Sequence, residues 1–503
     1  MRVILETRFE KMKHCFVSEA IKKKLKDFHC RVIMRDPFNH PAMIAVMDGA
    51  AKLAPNISKN ETQTREADLA ALARGELGAP VTHEPGLING RLNREKILIG
   101  TPVSNVDGMV LSEKDYEYIR DAGFDFILCW GGGEFRELAL DECLKNGIAV
   151  IGWNPGLPGI FDHDLQWDFS GYRKHPAQVG DCGSDEPHAA HFSLINDYEQ
   201  AYRKALPGQF LFNNLLPDGS MKSMMGADSY KEYVDRWADT VHSDYISLDH
   251  YPFYSTALIN RFGFRIALNT YDCIGDACRR TGRDFWIYTQ TQGNWFAHLY
   301  LRVTFEQVKW QVYAALCYGA RSIIQVAYTP VWGNDAYGMI DRKGNLTEQY
   351  LYAKRINAEV QKLSPVLSPY RSLGVLCAEA ARENPDFSLA VKQQRQSSAA
   401  QGFTGIPEVR RVRSESTALV GFFESGEGCR ALMPVNCRDL FDAAASQYIV
   451  IDLNGAYRVR VYQKGELTAD AVQSVVRIRL GSCDGAFITL TTENETMQSS
   501  PRS

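Results

Sequence analysis

The sequence predicts a (β/α)8 barrel, the TIM barrel fold, followed by a C-terminal antiparallel β-sandwich-like domain. Two patterns carry this prediction. Between residues 96 and 328, eight short apolar runs alternate with segments of helical character. After residue 365 the segments are apolar or alternating, rich in β-branched residues and separated by turns. A doubly wound open sheet is the alternative, and the lack of a glycine-rich dinucleotide turn after the first run disfavours it.

The predicted barrel strands recur at roughly 25–40 residues, the spacing of strands that are separated by one helix. In chain order they are 96–100 (KILIG), 124–130 (FDFILCW), 148–153 (IAVIGW), 177–181 (AQVGD), 209–213 (QFLFN), 244–249 (DYISLD), 285–290 (FWIYTQ) and 322–328 (SIIQVAY). The strands predicted for the β domain are 418–423 (ALVGFF), 430–435 (RALMPV), 448–453 (YIVIDL), 457–462 (YRVRVY) and 475–480 (VVRIRL).

Capping residues mark the ends of two helices within the barrel. Thr304 and Gln307 have the spacing of a capping box, in which each side chain accepts a hydrogen bond from a free amide of the first turn. Gly319 follows the apolar face of this helix and predicts its end. The segment 112–115 (SEKD) opens an earlier helix in a similar way, and Gly123 is predicted to end it.

Four regions follow from these patterns. Residues 1–95 contain helix-like pieces such as 67–73 (ADLAALA) without a period that defines a fold, and the polar tract 393–401 (QQRQSSAAQ) is predicted to be a mobile loop. The regions are an N-terminal extension (1–95), a catalytic barrel (96–365), a β domain (366–492) and a disordered tail (493–503).

Composition excludes several classes of function. The chain has 503 residues, 45% of them hydrophobic and 23% charged, with a formal net charge of −4. This balance gives no reason to expect a nucleic acid or an anionic membrane as partner. No apolar run reaches 18 residues and no signal-peptide pattern is present, so a cytoplasmic location is expected, a secreted one remaining open. The twelve cysteines contain no CxxC pair and are expected to be reduced. The oligomeric state is not indicated.

The candidate site residues follow from one rule of barrel enzymes: catalytic groups lie at the C-terminal ends of the strands and in the loops beyond them. Asp185 and Glu186 follow the fourth predicted strand, and Asp249 follows the sixth. The other candidates are polar or aromatic residues at the same positions of the remaining strands, which we expect to bind substrate. They are Trp130, Glu134, Trp153, Asn154, Asn213, Asn214, His250, Tyr251, Gln290, Gln292, Asn294, Trp295, Tyr328 and Trp332.

Four tryptophans at one end of the predicted barrel indicate the kind of ligand. Trp130, Trp153, Trp295 and Trp332 each lie at or soon after a predicted strand end. Rings beside carboxylates and amides suit sugars, since sugar C–H faces stack on rings and hydroxyl groups need hydrogen-bond partners. Packing of the tryptophans across the barrel mouth is the alternative, and their number favours a sugar site.

Three motifs resemble one enzyme family. They are SDEP (184–187), SLDHYPF (247–253) and FWIYTQTQGNW (285–295), the last followed by WQVYAALCYGARSI (310–323). Over residues 96–365 the sequence resembles the barrel of clan A glycoside hydrolases, most closely the family 42 β-galactosidase type. The resemblance implies that Glu186 is the general acid/base, and Pro187 is expected to fix its loop.

The sequence departs from this family at the seventh strand. Retaining members of the clan carry a nucleophilic glutamate there, and this chain has Thr289 or Gln290 in its place. Asp249 is the best replacement, and its distance of two strands from Glu186 suits the wider gap of an inverting enzyme. A structural or substrate-binding role for Asp249 is equally open. Weaker candidates for the base are Glu134, Asp335 and Asp341.

The sequence therefore predicts a glycosidase that cleaves an O-glycosidic bond in an oligo- or polysaccharide by carboxylate acid/base catalysis. The alternative is a carbohydrate-binding TIM barrel that has lost its nucleophile and does not catalyse. No cofactor is needed for the predicted chemistry. No metal is expected either, because His188 and His191 lack the spacing and the glutamate of HExxH.

Overall fold

The computed structural model describes residues 31–35, 42–46, 59–105, 108–161, 167–254, 257–293, 300–332 and 336–492. The predicted tail, residues 493–503, lies outside these ranges. In the N-terminal part, two short hairpins flank one helix. They are β1 (Arg31–Arg35) with β2 (Ala42–Val46), the helix α1 (Lys59–Ala73), and β3 (Leu87–Ile88) with β4 (Arg91–Leu92).

Eight parallel strands form the barrel, and each coincides with one of the predicted runs. The strands are β5 (Leu98–Ser104), β6 (Phe126–Trp130), β7 (Ala149–Gly152), β8 (Gln178–Asp185), β9 (Phe210–Asn214), β10 (Tyr245–Asp249), β11 (Asp284–Gln290) and β12 (Ala320–Val326). The helices are α2 (Glu113–Asp121), α3 (Gly133–Lys145), α4 (Phe192–Ala205), α5 (Lys222–Met225), α6 (Tyr230–Thr240), α7 (Ala257–Thr281), α8 (Phe305–Cys317) and α9 (Glu348–Leu367).

The strand order shows that the sheet closes on itself. The order is β10-β11-β12-β5-β6-β7-β8-β9, with every neighbouring pair parallel. Between β9 and β10, the Leu215 amide donates to the Ser247 carbonyl at 2.8 Å, and Leu215 forms a parallel bridge with Leu248. The predicted TIM barrel is therefore confirmed.

Alternation along the strands separates two cores. Inward-facing side chains fill the barrel with aromatic rings, among which Tyr245 and Trp286 have centroids 4.7 Å apart and Phe212 packs against both. Outward-facing neighbours such as Ile246 and Ile287 belong to the larger core beneath the helices. The barrel is thus a packed cylinder, so a substrate can reach only its ends.

The helix boundaries follow the predicted caps. Thr304 and Gln307 form a capping box at the start of α8, and Ser112 forms one with Asp115 at the start of α2. Gly123 and Gly319 follow these helices with φ angles of 79° and 91°, in the left-handed region that glycine adopts without a steric cost. Local capping chemistry therefore sets these boundaries.

The C-terminal domain is an eight-stranded, mostly antiparallel sheet with one added helix. Its order is β13-β16-β17-β20-β18-β15-β14, with β19 paired to β18 and one parallel pair, β14 with β15. The elements are β13 (Tyr370–Cys377), β14 (Glu379–Arg382), α10 (Ser388–Ala400), β15 (Val409–Ser416), β16 (Ala418–Ser425), β17 (Arg430–Asn436), β18 (Gln447–Gln463), β19 (Glu466–Leu480) and β20 (Ala486–Thr491).

Helix α8 connects the two domains. Trp310 donates from Nε1 to the Cys437 sulfur at 3.3 Å, and Lys309 pairs with Asp484. Phe264 of α7 also stacks on Phe387 at 4.7 Å. Side chains of both domains therefore share one core.

The prediction of a mobile loop at 393–401 was wrong, since most of this tract belongs to α10. Its buried side chains face β13, where Gln394 donates from Nε2 to the Val375 carbonyl at 2.5 Å and Ser398 donates to the same oxygen at 3.1 Å. The polar composition of this tract gives no sign of a buried helix face, because amide and hydroxyl groups, rather than apolar groups, make the buried contacts.

The cysteines and the helix lengths of the described residues can be compared with the expectations from the sequence. The ten cysteines among them are all free, as expected for a reduced set. No helix in the described ranges combines the length and the apolar character that crossing a membrane requires.

Candidate active site

Glu186 stands where the chain leaves the barrel after β8. Its φ angle is 49°, in the left-handed region that a residue with a side chain rarely adopts. Its amide donates to the Asn214 carbonyl of β9 at 2.8 Å. The next carbonyl, of the buried Pro187, accepts a hydrogen bond from the Tyr233 hydroxyl at 2.7 Å. The neighbouring strand and helix α6 therefore hold the strained backbone of Glu186 in place.

Asn214 joins two carboxylates at the ends of three adjacent strands. Its Nδ2 donates to Asp249 Oδ1 at 2.9 Å and to Asp185 Oδ1 at 3.2 Å. The orientation of this amide is fixed because Asn214 Oδ1 accepts a hydrogen bond from Ser247 Oγ at 3.0 Å. Asp185, Asn214 and Asp249 therefore form one cluster, and Glu186 follows Asp185 directly in the chain.

Burial and mutual repulsion separate the pKa values of two of these groups. Burial, followed by the charges of Asp249 and Asp185, raises the pKa of Glu186 to about 9. Burial, followed by the charge of Asp185, raises the pKa of Asp249 to about 7, while the hydrogen bond from Asn214 opposes this rise. Glu186 is therefore protonated at neutral pH, and Asp249 loses its proton first. Such a pair can supply an acid and a base.

An aromatic wall stands beside the carboxylates. Trp332 contacts two other rings, and its ring centroid lies 5.8 Å from that of Trp130 and 6.0 Å from that of Tyr251. Tyr251 continues to Tyr300 at 6.1 Å, and Tyr300 stacks on Tyr254 at 5.0 Å. We call these five residues the aromatic wall.

The aromatic wall is close to the acidic groups. Burial raises the pKa of Tyr300 well above its usual value, with further contributions from Tyr254 and from the charges of Asp249 and Glu186. The pKa of Tyr251 is raised by burial and then by the charge of Asp249. Carboxyl groups and rings thus share the C-terminal end of the barrel.

Gln292 holds one part of this wall in position. Its Nε2 donates to the Val331 carbonyl at 2.6 Å, and the Val331 amide donates to Gln292 Oε1 at 2.8 Å. The following residue, Trp332, has a φ angle of 61°, again in the left-handed region. Both the oxygen and the nitrogen of the Gln292 side chain are therefore bonded to the backbone of Val331. Gln292 thus positions the segment that carries Trp332.

Gln290 is likewise committed to backbone groups. Its Oε1 accepts from the Phe253 amide at 3.0 Å, and its Nε2 donates to the carbonyls of Phe253 and Leu301, each at 3.0 Å. This residue links the loops that follow β10 and β11. The sequence from 285 to 305 contains neither Asp nor Glu, so this segment supplies no carboxylate at all.

Asn213 and His250 lie behind the cluster rather than in it. Neighbouring side chains on a strand point to opposite faces of the sheet. Since Asn214 and Asp249 point into the barrel, Asn213 and His250 point outward, towards the helices. Asn213 accepts at Oδ1 from the Ser184 amide at 2.8 Å. The His250 ring contacts the Gly263 carbonyl at 3.2 Å, and burial lowers its pKa to about 4.

Tyr328 and Asn154 also make contacts away from the cluster. The Tyr328 hydroxyl donates to Asp115 Oδ1 in α2 at 2.8 Å. Asn154 is buried in the loop after β7, where its Nδ2 donates to the Arg173 carbonyl at 2.9 Å. Each of these polar groups is occupied by a protein partner.

The remaining candidates lie at the rim or outside the described residues. Glu134 is exposed in the first turn of α3, and Trp153 is 52% exposed after β7. Asp341 accepts from the amides of Lys343 and Asn345 in a turn. Asn294, Trp295 and Asp335 lie outside the described residues.

The sequence interpretation missed two members of the aromatic wall, Tyr254 and Tyr300. Tyr254 could have been predicted from the sequence, because it follows Asp249 within the same loop. Tyr300 carried no such signal, since it lies ten residues beyond the end of β11. In the described ranges no three His, Cys, Asp or Glu side chains converge as metal ligands.

The chain matches no protein-family model and no curated protein. Solved structures similar to it include glycoside hydrolases, the class that the sequence motifs resemble. One is a catalytic mutant of a family 42 β-galactosidase from G. stearothermophilus, with 9% identity and a TM-score of 0.46 over 82% of this chain and 100% of that one.

Two further similar structures are matched over only part of their length. The β-galactosidase of the psychrophilic Marinomonas ef1 has 14% identity and a TM-score of 0.40, over 59% of this chain and 65% of that chain. The β-glucuronidase of Parabacteroides merdae has 10% identity and a TM-score of 0.33, over 78% of this chain and 60% of that chain. This chain therefore spans less than two thirds of the length of either protein.

The raised pKa of Glu186 predicts a pH-dependent effect of Glu186→Gln on stability. Between about 4.5 and 9 the unfolded chain has released this proton and the folded chain retains it, so wild-type stability falls as pH rises. Glutamine removes this fall. We expect Glu186→Gln to raise the free energy of unfolding by about 1 kcal/mol or more at pH 8 and to leave it unchanged at pH 4.

Urea unfolding at both pH values measures this effect. The exposed Glu134→Gln is the matched control, and it should leave stability unchanged at either pH. An equal effect of Glu186→Gln at pH 4 and pH 8 contradicts the raised pKa.

Proposed function

We propose that the protein is a glycoside hydrolase in which Glu186 is the general acid and Asp249 is the general base. The observation that carries the proposal is the pair of Glu186 and Asp249, joined through Asn214 and lying beside the aromatic wall, in which burial raises the pKa of both carboxyl groups and that of Glu186 further. Glycosidic bonds are broken by two carboxyl groups in these roles.

Glu186 has the properties of a proton donor. Among the described residues its carboxyl group accepts no hydrogen bond, so nothing there stabilises the charged form against burial. It therefore carries a proton at neutral pH. As the bond to the leaving oxygen breaks, Glu186 donates this proton, and the leaving sugar departs as a neutral alcohol.

Asp249 has the properties of a base for water. The hydrogen bond from Asn214 at 2.9 Å favours its ionised form and fixes Oδ1, and a carboxylate has further lone pairs that can accept a hydrogen bond from a water molecule. The water loses a proton to Asp249 as its oxygen attacks the anomeric carbon. Because β11 ends without a carboxylate, we infer direct attack by water and inversion at that carbon.

The aromatic wall supports a carbohydrate as the substrate. Trp130, Trp332 and Tyr251 are half-buried and in mutual contact, so each keeps part of its ring surface accessible. Stacked sugar rings would cover these faces, and the carboxylates of Asp185 and Asp249 would accept hydrogen bonds from hydroxyl groups. An oligosaccharide is the inferred substrate class, and Trp153 at the rim extends the surface.

A second candidate function is carbohydrate binding without turnover. Two observations favour it: the segment 285–305 has no carboxylate, and the amides of Gln290 and Gln292 are occupied by backbone groups. The aromatic wall would then serve affinity alone. Product formation separates the two functions.

We expect Glu186→Gln to lower the turnover of oligosaccharides by about 100-fold or more, because the amide is too weak an acid to protonate the leaving oxygen. The turnover of nitrophenyl glycosides should fall less, since nitrophenolate is a leaving group that does not need a proton. Hydrolysis of a panel of both substrate types measures this difference, with Glu427→Gln, in the exposed turn between β16 and β17, as the unaffected control.

The outcomes of this assay are distinct. Full activity of Glu186→Gln contradicts the assignment of the acid. Sugar binding by both proteins without product supports the binding barrel instead. Nuclear magnetic resonance of the first product anomer tests inversion, and a retained configuration removes Asp249 from the role of base.

The two pKa values predict an alkaline optimum for kcat/KM. Asp249 must be ionised and Glu186 protonated, so we expect a bell-shaped profile with limbs at about 7 and about 9. Asp249→Asn should lower kcat/KM and remove the acidic limb. An optimum below pH 6 for the wild-type protein contradicts this assignment.

A further inference from the structure

A cavity of about 1340 Å³ lies at the N-terminal end of the barrel, opposite the candidate active site. Its walls come from residues 82–84 and 94–96, from the residues that precede or begin β10, β11 and β12, from the end of α9 and from the start of β13. Four arginines line it, namely Arg94, Arg283, Arg321 and Arg371. The catalytic proposal uses none of these residues.

Two of these arginines have buried N–H groups without an acceptor among the described residues. Arg321 is 8% exposed, and its Nη1 donates to the Ser368 carbonyl at 2.9 Å, while its Nε has no partner. Arg283 donates from Nη2 to the Ala238 carbonyl at 2.9 Å, while its Nη1 has no partner. A buried donor without an acceptor is costly, and it shows that the protein only partly compensates the charge of each of these guanidinium groups.

The carboxylates of the cavity form no ion pair with Arg283, Arg321 or Arg371 within the described residues, although the charges of Asp284 and Glu95 oppose the lowering of the pKa of Arg321. Asp284 and Asp244 are engaged by Arg94 at 2.7 and 3.3 Å. Glu84 and Glu95 are exposed. The exposed Arg371 makes no ion pair within the described residues, and burial together with the charge of Arg371 lowers the pKa of Arg321 to about 10.

We propose that this cavity binds a phosphate group, through the guanidinium groups of Arg321 and Arg371 with Arg283 adding a further donor. A tetrahedral oxyanion presents several acceptors at once, which suits planar guanidinium forks. It also supplies the negative charge that the paired carboxylates of the cavity do not. A neutral or cationic ligand would leave the positive charge of these guanidinium groups uncompensated. The site is independent of the proposed glycosidase activity.

Titration calorimetry with inorganic phosphate at constant ionic strength tests this proposal. We expect saturable binding by the wild-type protein and a Kd that is about tenfold higher or more in Arg321→Met and in Arg371→Gln, since each removes a charged donor. The matched control is Arg477→Gln, whose guanidinium lies over the Tyr448 ring in the β domain, and its Kd should stay within about twofold of wild type.

A second probe, phenyl phosphate, distinguishes the source of the phosphate group. Tighter binding of the ester than of the free ion indicates a phosphorylated metabolite, and the reverse indicates inorganic phosphate. Arg371→Gln decides the test, because this exposed residue is not needed to fill a core. An unchanged Kd in that variant, or no saturable binding of either probe by the wild-type protein, overturns the proposal.

Discussion

The candidate site depends on one constraint: three acidic residues are held together at the ends of adjacent parallel strands. Asn214 of β9 donates to Asp249 and Asp185 on either side of it, and the Glu186 amide donates to the Asn214 carbonyl. Asp185 and Asp249 are therefore held close to each other and to the backbone of Glu186. Burial and the charges of the two aspartates raise the pKa of Glu186, and no hydrogen bond from the described residues offsets this rise, so the proposed acid keeps its proton.

The same scaffold holds two strained backbone positions. Glu186 and Trp332 both have positive φ angles, which cost about 1–3 kcal/mol each in residues with side chains. Hydrogen bonds from neighbouring elements support both, through Asn214 and Tyr233 at one and through Gln292 at the other. The strain places one carboxyl group and one indole ring at the barrel mouth.

Much of the fold was predictable because its signals are local. The regular spacing of apolar runs, the capping boxes and the glycines at helix ends predicted the barrel. The rule that functional groups lie at the C-terminal ends of barrel strands placed Glu186, Asp249 and Asn214 in one candidate site. Strand alternation, applied to Asn213 and His250, predicts their outward direction as well. The bonding of Gln290 and Gln292 to loop backbones was beyond such reasoning, since it depends on contacts between segments distant in the chain.

Infrared difference titration of the wild-type protein against Glu186→Gln tests most directly whether the clustered carboxyl groups retain a proton. We expect a protonated-carboxyl C=O band at pH 7.5 that is absent from the variant and that disappears with a midpoint of about 9. The absence of this band at pH 7.5, or a midpoint near the ordinary value of about 4.3 for glutamate, would contradict it.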